Sequence, residues 1–239
     1  MLLLAGCKKD TRRDVLTDLR PKLSQLRSDL VALAPSLPDV GTVQAARVPE
    51  GVLDIDDDDP AQDNTIIIGL DALRAPNDMR KDDPLEAGFA YRHRYLGCLR
   101  DSVDGSESGS QPADEGYRAL CDRAASARYA LIYRVAKSVP ARFEKPAGGE
   151  FTYEPGSLAV EWFVVDLGPP EARAAKVVGE LVTSAKTPES MTISVDVGTA
   201  PGMVDARKQA AAALSDAIRG ELVKALQGKA HHVDLDPAG

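Results

Sequence analysis

Three kinds of residue in this sequence could do chemistry: three histidines, three cysteines and one dense run of aspartates. The run is Asp54-Ile55-Asp56-Asp57-Asp58-Asp59. Closely spaced carboxylates can hold a hard cation such as calcium. An EF-hand loop starting at Asp54 would need glycine at its sixth position and glutamate at its twelfth, and Asp59 and Thr65 stand there instead. The run therefore reads as a solvated acidic loop. His231 and His232, followed by Asp234 and Asp236, form a second handle, because imidazole with carboxylate suits zinc or copper. Near the end of the chain, ordering entropy opposes binding and a further ligand is not evident, so no metal site is assigned.

Two other strings invite a functional reading. Tyr91, Arg92, His93 and Arg94 could grip a carboxylate or phosphate, although a helix edge with long side chains lying along it explains the cluster as well. Gly105-Ser106-Glu107-Ser108-Gly109 has the spacing of a nucleophile elbow, but Glu107 occupies the position that needs serine. No Ser/His/Asp, Cys/His, Walker or dinucleotide pattern is present, so neither catalytic residues nor a cofactor are expected.

The elements that must position these groups follow from periodicity. Val15, Leu19, Leu23, Leu26, Leu30 and Leu33 recur at helical spacing, and Pro21 inside that stripe predicts a kink or a helix restarting near Arg20. Such a helix could pack on a partner, lie near anionic headgroups, or dock on its own domain. A brief strand or an anchoring segment is expected at 65–68, a helix from Pro84 to about 102 and another over 115–125. Residues 128–137 alternate, with Tyr129, Leu131, Tyr133 and Val135 on one face and Ala130, Ile132 and Arg134 on the other. Residues 157–167 are apolar on both faces and should form the central strand, antiparallel to its neighbour. Residues 169–186 read either as a helix opening at Pro169-Pro170-Glu171 or as a strand; a strand at 176–185 is favoured, since Gly179 and the valines weaken a helix there, and a short strand is expected at 191–197. Ala211, Leu214, Ile218, Leu222, Ala225 and Leu226 line one face of a long final helix that Gly228 stops. The fold class is thus α+β: N-terminal helices and a small antiparallel sheet of three or four strands, packed by a long C-terminal helix.

Composition excludes some partners. With 29 basic and 37 acidic side chains the formal charge is -8, which argues against nucleic acid. The 44% hydrophobic content over 239 residues is that of a globular chain able to bury one sizeable core or two small ones.

Leu4-Ala5-Gly6-Cys7 resembles the lipobox of bacterial lipoproteins: an aliphatic residue, two small residues and a cysteine. The resemblance covers these four residues. A complete signal carries about 7 to 15 apolar residues before the cleavage site, of which residues 1–4 stand here, so the signal is expected to be truncated. The resemblance implies that Cys7 becomes an acylated N-terminus anchored in membrane lipid, and multiple acyl chains make such anchoring stable. Lys8 in place of aspartate after the cysteine implies the outer membrane, with the domain facing the periplasm. If Cys7 carries lipid, Cys98 and Cys121 remain as a pair that an oxidising periplasm permits to bridge. That bridge would close a loop of roughly two dozen residues and contribute about 3 kcal/mol.

The chain accordingly divides into a truncated signal with lipobox (1–7), an amphipathic helical segment (8–38), an acidic linker (39–64), a single α+β domain (65–228) and a flexible tail (229–239). The function expected is that of a non-catalytic lipoprotein domain that binds another envelope protein or serves envelope structure. A ligand- or metal-binding lipoprotein (calcium or zinc) is the alternative, and an enzyme with an unrecognised site is the third reading.

Overall fold

The structure, a computed structural model, describes residues 11–44, 46–56, 63–74, 85, 93–102, 111–113, 116–144, 152–191 and 203–235. In chain order the described elements begin with helices α1 (Arg12–Val15) and α2 (Arg20–Leu33). Strands β1 (Asp54–Asp56) and β2 (Thr65–Gly69) and helices α3 (Leu70–Arg74), α4 (His93–Asp101) and α5 (Tyr117–Ser126) follow. Then come β3 (Tyr129–Val139), β4 (Arg142–Glu144), β5 (Thr152–Glu154), β6 (Ser157–Asp166), β7 (Lys176–Lys186), α6 (Met203–Leu226) and β8 (His232–Asp234).

Four strands make the main sheet in the order β2-β3-β6-β7. β6 is an interior strand, antiparallel to β3 and β7, as its two apolar faces require. The hairpin of β3 and β6 runs on into the short pair β4-β5. One pairing differs from the antiparallel expectation: β2 runs parallel to β3, with Ile66 opposite Ala130 and Ile68 opposite Ile132. The reason is connectivity, since the helices α3, α4 and α5 lie between the two strands in the chain, and a parallel pair needs such a crossover.

Each face of the sheet is covered. On one side Ile66, Ile68, Ala130, Ile132, Phe163 and Val165 pack with Leu23, Leu26 and Leu30 of α2, with Leu96 and Leu99 of α4, and with Ala124 of α5. On the other, Ile67, Leu131, Tyr133, Val160, Trp162, Val164 and Leu181 pack with Leu214, Ile218, Leu222 and Leu226 of α6. The period of two along β3 and β6 thus feeds two cores, one on either face, in a helix-sheet-helix sandwich. The leucine stripe of α2 docks on its own domain, and the helix restarts at Arg20 with Pro21 in its first turn, where a missing N–H costs nothing. Along α6 the stripe holds at Leu214, Ile218, Leu222 and Leu226, but Ala210 is buried where Ala211 was expected, and Ala211 is exposed. Gly228 takes a φ of 75° after the last turn, the left-handed conformation that glycine adopts without strain.

Residues 39–56, expected as linker, carry packed side chains: Val43, Val48, Leu53 and Ile55 are buried. Arg47 exchanges two backbone hydrogen bonds with Glu180 of β7, at 2.7 and 2.8 Å. The strap passes so close that a Cβ on Gly179 would lie 2.5 Å from the Arg47 carbonyl oxygen, so only glycine fits there. The tail is also placed in part, because His232–Asp234 forms β8. The strand expected at 191–197 lies, beyond Met191, outside the described residues.

Candidate functional site

β1 and β8 form a separate parallel ribbon, pairing Asp54 with His232, Ile55 with Val233 and Asp56 with Asp234. The tripeptides Asp-Ile-Asp and His-Val-Asp share one alternation, so their middle residues point one way and their outer residues the other. Ile55 is fully buried in the α6-side core and Val233 packs against it. Asp54, Asp56, His232 and Asp234 share the opposite face. There one ligand atom each from Asp56, His232 and Asp234 lies within 4.8 Å of the others. His232 Nε2 stands 3.4 Å from Asp56 Oδ2, and His231 Nδ1 stands 3.1 Å from Asp54 Oδ1.

The backbone holds this ribbon firmly. The Asn64 side chain accepts from the Asp54 N–H at 2.9 Å and donates to the Val52 carbonyl at 2.9 Å. His231 N–H donates to the Leu53 carbonyl at 2.9 Å, and Gly51 N–H to the Lys229 carbonyl at 2.6 Å. The acidic run and the histidine tail, separate in the sequence, are therefore brought together by strand pairing. The shared alternation of the two tripeptides is a signal for it, but a weak one, since each strand has three residues.

Cys98 on α4 and Cys121 on α5 form a disulfide with a Cα–Cα distance of 5.4 Å. Both are fully buried in the α2-side core, which makes the bridge a staple between helices and not an accessible thiol pair. Two buried carboxylates accept from tyrosines of the same two helices. Asp101 accepts from Tyr117 Oη at 2.8 Å and Arg100 Nε at 3.2 Å, and the Arg12 guanidinium stacks 5.0 Å from the Tyr117 ring centroid. Burial, reinforced by the hydrogen bond to Asp101 and that carboxylate's charge, pushes the Tyr117 phenol far above its ordinary range, so it stays a neutral donor. Asp63 accepts from Tyr95 Oη at 3.0 Å and from the Thr65 N–H at 3.0 Å.

A further buried carboxylate among the described residues is Glu161 on β6, opposite Arg134 on β3. Arg134 Nε donates to Glu161 Oε2 at 2.6 Å, its Nη2 donates to the Pro38 carbonyl at 2.6 Å, and its guanidinium lies 5.0 Å from the Phe163 ring centroid. Glu161 Oε1 accepts the Gly41 N–H at 2.8 Å. The pair pins the start of the strap to the sheet. Sequence inspection did not single it out, because Glu161 interrupts an otherwise apolar strand and shows its partner only through the β3-β6 register.

Cys7, Tyr91 and Arg92 lie outside the described residues, as does the Gly105 to Gly109 string. His93 and Arg94 open α4. Among the described residues no helix is long and apolar enough to cross a membrane. No family model, no curated protein and no solved structure matches this chain.

Proposed function

We propose that this chain is a bacterial lipoprotein, acylated at Cys7 and held at the outer membrane, whose α+β domain acts without catalysis by binding another envelope protein. The observation that carries the reading is the Leu4-Ala5-Gly6-Cys7 motif standing four residues ahead of Thr11, where the described domain begins. Thr11 bridges Pro112, and the Arg12 N–H donates to the Gln111 carbonyl at 2.9 Å, so the packed domain follows the anchor almost at once. A buried disulfide fits an oxidising compartment. The buried carboxylates Asp63, Asp101 and Glu161 each engage tyrosine, arginine or backbone partners, which supports a structural use for them.

The test is palmitate labelling of the protein produced in a bacterial host with a complete signal ahead of Leu4, and fractionation of the envelope. The expected result is an acylated protein in the membrane fraction that Cys7→Ser converts to an unlabelled soluble form. Unacylated protein that is not cleaved ahead of Cys7 overturns the anchor. Isolation of the acylated protein from native envelopes with one stoichiometric companion is expected, and its recovery alone argues against the binding role.

A further inference from the structure

We propose that the β1-β8 ribbon is a binding site for a divalent transition cation of the zinc class, with Asp56, His232 and Asp234 as its protein ligands. The proposal goes beyond the lipoprotein reading and does not depend on acylation of Cys7.

Three observations carry it. The ligand set mixes one imidazole with two carboxylates, which suits zinc-class ions, whereas calcium and magnesium favour all-oxygen shells. The geometry is close to what is required. Metal–ligand bonds of about 2.0 to 2.2 Å in a tetrahedral shell place ligand atoms roughly 3.3 to 3.6 Å apart. His232 Nε2 and Asp56 Oδ2 are 3.4 Å apart already, and all three groups offer atoms within 4.8 Å. The third observation is preorganisation: the ligands alternate with Ile55 and Val233, which are seated in the core, and so they project from a ribbon whose opposite face is fixed. Asp56 and Asp234 are half-buried while His232 is exposed, giving a site with an open side on which water can complete the shell.

His231 takes a positioning role. Its Nδ1 lies 3.1 Å from Asp54 Oδ1, beside the Asp54–His232 register pair, and its N–H and that of His232 both reach the Leu53 carbonyl. It thereby sets the turn that delivers His232 to the metal. Binding would clamp the last described strand to the segment before the sheet, so the bound ion would stabilise the fold by mass action.

The experiment is isothermal titration of zinc into the full-length chain carrying Cys7→Ser, with any polyhistidine tag removed, so that neither a free thiol nor a tag competes. One equivalent of zinc is expected to bind and to raise the melting temperature. His232→Ala and Asp234→Asn are each expected to weaken zinc by more than about tenfold, since loss even of a group that only supports a ligand costs 10- to 100-fold. Their far-UV spectra and Trp162 fluorescence should match the parent, because the altered side chains lie on the outer face of the ribbon. In nitrogen-15 NMR, zinc should move the His232 ring resonance more than that of His231. Zinc affinity unchanged within twofold in His232→Ala overturns the site. So does calcium binding as tightly as zinc with no effect of that substitution, which would leave only an acidic loop.

Discussion

Glu161 sits fully buried in the middle of an apolar strand, and its two oxygens are divided between the Arg134 guanidinium and the Gly41 N–H. A carboxylate in that position is tolerated only with such partners. Removing one member of a buried ion pair leaves the other uncompensated, at a cost of about 3 to 5 kcal/mol, whereas replacing both with apolar groups is often neutral. Glu161→Ala should therefore lower the urea midpoint by an amount equivalent to about 3 kcal/mol, followed through Trp162 fluorescence. The double change Arg134→Met with Glu161→Leu should recover most of it. Equal losses in the single and double variants would mean that the strap contact at Gly41, and not the charge pair, carries the energy.

Among the elements, the long ones and β2 were legible, and the three-residue strands were not. β3 and β6 have eleven and ten residues, enough for alternation to assign Leu131 and Tyr133 to one face and Ala130 and Ile132 to the other. The stripe of α2 was equally plain at Leu23, Leu26 and Leu30, though periodicity alone did not say that its partner was the protein's own sheet. β1 and β8 carry three residues each and find their partners across most of the chain, so composition made them loop and tail. The candidate metal ligands were visible as two separate half-sites for the same reason: proximity came from pairing, which no local pattern encodes. The Cys98–Cys121 pair, expected only on the premise of export, joins α4 to α5. Its sequence separation of 23 corresponds to about 3 kcal/mol of chain-entropy stabilisation. The Cys98→Ala, Cys121→Ala protein should unfold at correspondingly lower urea than the oxidised parent, and reduction of the parent should reproduce the loss. A difference below about 1 kcal/mol would show that α4 and α5 are held by packing alone.

At the scale of the whole molecule, the proposed acylation of Cys7 would constrain how the described residues sit at a membrane. Four residue steps separate Cys7 from Thr11, and an extended chain covers at most about 3.6 Å per residue, so acylation would hold Thr11 within about 14 Å of the anchored cysteine. Gln111 and Pro112 would share that membrane-proximal position through their backbone contacts with Arg12 and Thr11. A fluorophore at Gln111→Cys in the acylated, vesicle-bound protein should be quenched by nitroxide-labelled lipid headgroups. A flexible insertion of about 20 Gly and Ser residues before Thr11 should relieve that quenching, since such a linker reaches roughly 25 Å. Identical quenching with and without the insertion would show that contacts of the folded domain, and not the short tether, hold this face to the bilayer.

The pairing of Asp54 with His232 also has a consequence in time. Their positions differ by 178 (232 minus 54), so the β1-β8 ribbon closes one of the longest loops the chain can make. Contacts of that kind raise contact order and must wait until the intervening segments have collapsed, because closing the loop earlier costs entropy with nothing yet to offset it. The four-stranded sheet and α6 can assemble first, and the ribbon then docks as a latch on finished structure. During folding β1 therefore waits for a partner strand that lies far along the chain from it.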